Sequence, residues 1–256
     1  MGKIISIVNQ KGGVGKTTTA TNLAYGLQLR GKKVLSVDCD PQGNSTDTWR
    51  AISNDDNYPT LSDVLFQNKP VEECIQHTEC GDILAADGEL SNIDKHLTGF
   101  KAFYRLQECL STIKNKYDYI ILDTNPHILL LLQNALIAAD SVIIPLEAGY
   151  YEVSGMVEFS NTIADVKSMP NPNLKVLGIL ATKYDVRNNI NKELVDGLPD
   201  VAERMGTIAF DTRIRNTVEV KEAQKRKLTI HEYNPNCTAA IDYMNFIEEL
   251  EQRGMI

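Results

Sequence analysis

The chain has no long apolar run, no linker and no metal-ligand pattern. Its longest mid-chain apolar stretch, Ile128 to Leu132, is far too short to span a bilayer, and the N-terminus reaches a polar loop by Asn9 without a signal-peptide core. No Pro/Gly/Ser-rich or charge-block segment divides the 256 residues and no repeat recurs, so one domain over 1–256 is the expectation. Five cysteines (Cys39, Cys74, Cys80, Cys109, Cys237) are an odd count with no C-x-x-C pair, and no histidine stands at zinc-ligand spacing. That argues against a disulfide framework or structural zinc and suits a reducing cytoplasm. Positive charge is also scarce: a net charge of −8 excludes a surface that is basic all over and leaves only a local patch for nucleic acid or anionic lipid.

What the chain does have is alternation. Short β-branched runs at 3–8, 32–38, 117–123, 141–146, 175–184 and 206–210 are separated by helical patterns. Near-continuous apolar strands of this kind suit a parallel sheet covered on both faces. After the first run, Ala20, Leu23, Ala24 and Leu27 fall at helical spacing and Gly31 is placed to end the helix. Strand, glycine loop, helix, strand is a βαβ unit, and its repetition predicts an α/β, doubly wound, mostly parallel sheet with ligands at the carboxyl ends of its strands. The segment from about 52 to 103 reads as helices and loops over one sheet edge, with a short strand at 82–87. A closing helix is expected to carry Ile241, Met244, Ile247 and Leu250 on its buried stripe, with Glu248, Glu249 and Glu251 away from it.

The loop "NQKGGVGKTT" (9–18) matches the end of the general phosphate-loop pattern G-x-x-x-x-G-K-[ST] at Gly15-Lys16-Thr17, while Gln10 stands where the first glycine belongs. Gly12, Gly13 and Gly15 still let successive backbone N–H groups turn inward, and the following helix aims its positive end at the same point. A nucleotide triphosphate is the natural guest of a cradle running from Gly12 and Gly13 through Val14, Gly15 and Lys16 to Thr17 and Thr18. Lys16 would bridge the terminal phosphates and the Thr17 hydroxyl would ligate Mg²⁺. "VDCDPQGN" (37–44) and "IILDTNP" (120–126) then end two strands with Asp38, Asp40 and Asp123 on the edge that carries the loop. Asp123 fits the carboxylate that serves the metal, and Asp40 is placed beside the metal to orient or deprotonate the attacking water.

Together these motifs resemble the ParA/MinD-type P-loop ATPases with a deviant Walker A sequence, and "DCDPQGN", "YDYIILDTNP" and "ADSVIIPLEAGYYEVSG" follow in the order of the ParA/Soj branch. The likeness runs from Lys3 to about Pro235. It implies a cytoplasmic, nucleoid-associated ATP switch: a homodimer formed on ATP, non-specific binding to double-stranded DNA, and weak hydrolysis stimulated by a ParB-like adaptor. It also implies that Lys11 reaches across the dimer to the partner's phosphates, and that Gly12 lies where the subunits approach. A lysine supplied in trans neutralises phosphate charge in a low-dielectric interface, where such contacts are strongest.

The segment 213–227 holds six basic residues and two glutamates, the one marked basic cluster. With the resemblance, it makes Arg187, Arg213, Arg215, Lys221, Lys225 and Arg226 the candidates for contact with DNA phosphates. The alternative is a MinD-like or cargo-positioning ATPase anchored on membrane or protein. The last helix carries "IEELEQRG", whose acidic face would be repelled by anionic lipid, so no membrane anchor is expected. The chain opens directly on the phosphate-loop strand, so operator-specific DNA binding is not expected. Asn125, His127, Glu147, Gly149 and Glu219 depart from the family pattern, with His127 reading as a loop or packing residue.

Overall fold

A computed structural model of the protein describes residues 2–53, 57–147 and 152–256, with 152–158 described by their backbone alone. Gly149, Tyr150 and Tyr151, within the stretch that resembles the ParA/Soj branch, lie outside the described residues. The strands are β1 (Lys3–Ile7), β2 (Val34–Cys39), β3 (Ile75–Thr78), β4 (Gly81–Leu84), β5 (Tyr119–Thr124), β6 (Ser141–Glu147), β7 (Lys175–Tyr184) and β8 (Ala209–Arg215). They form one sheet in the order β3-β4-β2-β5-β1-β6-β7-β8, parallel except for β3 against β4. The apolar runs are strands because each is covered on both faces; Ile5, Ile7, Ile120, Ile121, Ile143 and Ile144 have no exposed surface.

The first helices are α1 (Lys16–Leu29), α2 (Asn44–Thr48), α3 (Leu61–Gln67), α4 (Val71–Cys74), α5 (Ile93–His96), α6 (Arg105–Ser111) and α7 (Leu129–Ala138). They are followed by α8 (Glu152–Ser168), α9 (Asn189–Asp196), α10 (Leu198–Arg204), α11 (Val218–Lys225), α12 (Ile230–Tyr233) and α13 (Thr238–Gln252). Residues of α1, α11, α12 and α13 build the core on one face of the sheet, and those of α3 to α10 build the core on the other. From β1 the chain leaves toward β2 on one side, whereas β6, β7 and β8 lie on the other. The carboxyl ends of the central strands open into a crevice at that divergence.

Three local expectations need correction. The strand expected at 206–210 starts at Ala209, because Gly206 takes a positive φ of 66° in a turn, and it runs on to Arg215, so the basic segment begins on a strand. The strand at 82–87 is β4 at Gly81–Leu84, hairpinned to β3, whose half-buried "IQHT" shows no alternation to find it by. On α13, Ile241 is 44% exposed, and the buried residues include Ala239, Tyr243, Phe246, Ile247, Leu250 and also Glu249. Glu249 turns inward because β8 needs it. The β7–β8 register shifts between Ile179 and Ala181, and the Glu249 carboxylate accepts from the consecutive Asp211 and Thr212 N–H groups at 2.9 Å each.

Candidate nucleotide site

Immediately after β1, the backbone turns through Gly13 at φ 77° and Gly15 at φ 90°, left-handed conformations that side chains disfavour. Gly15 is the N-cap of α1, so the free N–H groups and the positive helix end face the loop's interior. The loop is held from three sides. Thr182 Oγ1 on β7 donates to the Val14 carbonyl at 2.7 Å, Asn9 Nδ2 donates to the Pro145 carbonyl at 2.8 Å, and the Asn9 side-chain oxygen accepts from Lys11 N at 2.9 Å. Gln10, at the missing-glycine position, donates to Thr162 Oγ1 at 3.2 Å and so ties the loop to α8.

Lys16 is 6% exposed, and its Nζ donates to the Lys11 carbonyl at 2.7 Å. Burial pushes its ammonium below the usual lysine range, while Asp123 and Asp40 pull the other way. Asp38 and Asp123 sit in register on neighbouring strands, both without exposed surface. Desolvation raises both carboxyls well above the usual range, and Asp123 adds to the rise of Asp38. Asp38 accepts from Thr46 N and Thr46 Oγ1 at 2.8 Å each and so anchors α2. Asp123 Oδ2 accepts from Ser45 Oγ at 2.8 Å, and the nearby Thr17 hydroxyl also helps to hold its carboxyl down against burial. Its other oxygen, Oδ1, is buried without a hydrogen-bond partner.

That orphaned oxygen beside Thr17 suits the water shell of a divalent ion, a stronger sign than the carboxylate alone. Among the described residues no group of three or more His, Cys, Asp or Glu side chains could hold a metal. The donor set therefore fits an ion that arrives with phosphate oxygens as most of its ligands. Asp40, 8% exposed, lies on the same wall, where its Oδ1 accepts from Gln42 N at 3.0 Å and Asn125 Nδ2 at 2.8 Å.

The cleft around these groups measures about 740 Å³ and continues beyond the phosphate loop into an alcove lined by Ile214, Val220, Leu228, Ile230 and Tyr243. Thr217, at the N-cap of α11, makes no cap hydrogen bond, and its buried hydroxyl has no partner. Sequence reasoning missed the alcove because its walls come from β8, α11, α12 and α13, roughly 200 residues from the loop. Thr217 carried only the signal of a helix cap. Glu147 and Lys183 also line the cleft and pair at 3.0 Å, with Lys183 at a positive φ of 51°. His127 is exposed at the mouth. A Cβ built on Gly12 would meet nothing nearer than its Nε2, at 3.9 Å.

The basic candidates are held by different partners. Arg215 forms a bidentate pair with the buried Asp242 of α13. Arg213 stacks over Tyr184, 5.3 Å from its ring centroid, and lies 3.8 Å from Asp196 of α9. Arg187 pairs with Asp185. Lys221, Lys225 and Arg226 are exposed on or just after α11, whose core contact is on the opposite sheet face from that of α9.

A family profile described as an AAA domain matches residues 2–176. The chain is 36% identical over 257 residues to the sporulation initiation inhibitor protein Soj of Bacillus subtilis, covering 99% of this chain and 100% of that one. It is 34% identical over 256 residues to the chromosome partitioning protein ParA of Caulobacter vibrioides, covering 98% and 94%. The chain belongs to the ParA/Soj family of chromosome-partitioning ATPases. The ParA/Soj assignment agrees with the loop, the strand-end carboxylates and the parallel sheet. Among solved structures, a cobyrinic acid a,c-diamide synthase from Mycobacterium smegmatis with bound ADP and magnesium superposes with a TM-score of 0.85 at 29% identity, covering 100% of this chain and 96% of that one. Its name carries a different activity on the same fold, so the fold alone does not choose a function, whereas the full-length ParA/Soj relatives do.

Proposed function

We propose that this ParA/Soj chain is an ATP-dependent DNA-segregation switch acting in the cytoplasm on the nucleoid. It binds ATP with Mg²⁺, pairs with a second copy across the phosphate loop, holds DNA without sequence preference, and resets by slow hydrolysis that a ParB-like adaptor accelerates. The observation that carries this reading is that Lys16, Thr17 and Asp40 line one cleft, with the buried Asp123 carboxylate close enough to act on the charge of Lys16 and with Lys11 exposed on the same loop.

In this reading Lys16 leaves the Lys11 carbonyl for the terminal phosphates, to which its buried ammonium offers strong charge. The Thr17 hydroxyl and the unpartnered oxygen of Asp123 are the groups that would hold a divalent ion brought in with the nucleotide. When bound there, Mg²⁺ would supply neutralisation of phosphate charge. Asp40 takes the proton of the attacking water or fixes its direction. Lys11 of a second copy completes the charge around the phosphates. The alcove takes the base, and the Thr217 hydroxyl is its polar contact.

For DNA, the basic side chains that one protomer offers, Arg187, Arg213, Lys221, Lys225 and Arg226, are too few for firm binding. Pairing two protomers doubles the phosphate contacts and makes affinity depend on ATP and fall steeply with salt. Arg215, held by Asp242, contributes least. The test is co-sedimentation with DNA in ATP, ADP and no nucleotide, using Asp40→Ala to slow hydrolysis. Pelleting with ATP alone, lost on raising salt, is the expected outcome. A trapped protein that pellets no DNA at low salt would overturn the DNA anchor, and binding of anionic liposomes by the same protein would favour a membrane one.

A further inference from the structure

Asn125 follows β5 directly and is 7% exposed, and its side chain has two tasks. Its Oδ1 accepts from the backbone N–H groups of His127 at 2.7 Å and Ile128 at 3.0 Å, which caps the turn into α7. With the oxygen so engaged, the amide nitrogen has one direction left, and it donates to Asp40 Oδ1 at 2.8 Å. Asp40 Oδ1 also accepts from Gln42 N, so both hydrogen bonds given to this carboxylate fall on one oxygen. Its Oδ2 accepts none from the described residues, and the residue lines the cleft.

We infer that Asn125 is a positioning residue for hydrolysis: it clamps one oxygen of Asp40 so that the other is presented to the attacking water. The inference rests on the reading of Asp40 given above. A residue without a side-chain donor at this position, a proline included, would leave Oδ1 only the Gln42 N–H. The carboxylate would then turn about its Cβ–Cγ bond. Because the same amide caps the 125–128 turn, the orientation of Asp40 is tied to the loop whose His127 faces Gly12 across the cleft mouth. The charged groups that bear on this contact are Asp38, which accepts from Asp40 N at 3.1 Å, and Lys16 and Asp123.

Two substitutions separate the tasks. Asn125→Ser keeps a hydroxyl that can accept from the turn N–H groups but is too short to reach Asp40. Asn125→Asp keeps the acceptor and sets a carboxylate against Asp40, so the two must share a proton to stay in contact. Single-turnover hydrolysis and the affinity for a fluorescent ATP analogue are measured for both, with Asp40→Ala alongside and thermal melting as the folding control. For Asn125→Ser the expectation is a rate about 10- to 100-fold lower with nucleotide affinity within about twofold, the size of losing one hydrogen bond to a charged group. Asn125→Asp should be slower still at pH 8 and gain rate as pH falls toward 6, since the shared proton restores the bond; the unmodified protein should not show that rise. Unchanged rate and pH profile in both Asn125 variants, with Asp40→Ala inactive, would overturn the positioning role alone. Full activity in Asp40→Ala would overturn the reading of Asp40 and this inference with it. If Asn125→Ser melts early, the pH profile of Asn125→Asp decides.

Discussion

Asp38 and Asp123 face each other on adjacent strands, where desolvation pushes their carboxyls up to about 8 and about 6. An unfolded aspartate titrates near pH 3.9, so between pH about 4 and about 8 the folded, nucleotide-free protein holds protons that the unfolded chain has released. Stability of the nucleotide-free protein is therefore expected to fall as pH rises through that window, read as a decreasing denaturation midpoint between pH 5 and 8. If Asp123 serves the metal as proposed, its carboxyl has to ionise, so binding of Mg·ATP should release protons near pH 6 and release almost none at pH 9. Calorimetry in buffers of different ionisation enthalpy measures this directly; proton uptake on binding at pH 6 would contradict it. Lys16 is an exception to what a sequence pattern conveys about a residue. The loop motif names it, but only the structure reveals that its ammonium is held on the Lys11 carbonyl.

Among elements, β8 depends most on a partner outside the sheet. Its irregular pairing with β7 leaves the N–H groups of Asp211 and Thr212 to Glu249 of α13, and Arg253 closes the group by pairing with both Glu249 and Asp211. Glu249→Ala would strand two backbone donors on an edge strand, at a cost of about 1–3 kcal/mol in stability. Urea denaturation is the check, and a change under about 0.5 kcal/mol would mean that water replaces the carboxylate. The α1–α13 contact is similarly close: a Cβ on Gly26 would run into Ile247 Cδ1. Gly26→Ala sets a gain in helix propensity against overpacking, and a net loss of about 1 kcal/mol is expected because α13 is already fixed by Tyr243 and Phe246, both buried.

At the scale of the whole molecule, Gly12 is informative because nothing inside the protomer requires it. It lacks a positive φ, and its nearest neighbour would sit 3.9 Å from an added Cβ. Gly12→Val should therefore fold and bind nucleotide yet fail to form an ATP-dependent dimer, and Lys11→Ala should do the same for reasons of charge. Sizing chromatography with a slowly hydrolysed ATP analogue reads both, and a dimer of undiminished strength would remove the trans role of Lys11 and the close approach at Gly12. The eight strands among the described residues share one sheet, so a single calorimetric unfolding transition is expected, and two separate transitions would argue against a one-domain reading.

The alternation of apolar runs, the glycine positions around Lys16 and the strand-end aspartates were legible in the amino-acid order. Each is a local pattern: a backbone that turns its own N–H groups inward, or a strand that shows its burial in its composition. The same holds for Asp40 and Asp123, which any parallel arrangement of β2 and β5 brings to one edge. Tertiary structure alone decided the clamp of Asn125 on Asp40 across 85 residues, the capture of Arg215 by Asp242, the inward turn of Glu249 and the alcove around Thr217. Those contacts depend on strand order, on a register shift at the sheet edge and on which helix packs where. Side chains far apart in sequence meet only after the whole chain has chosen those, and no spacing within a single segment records the choice.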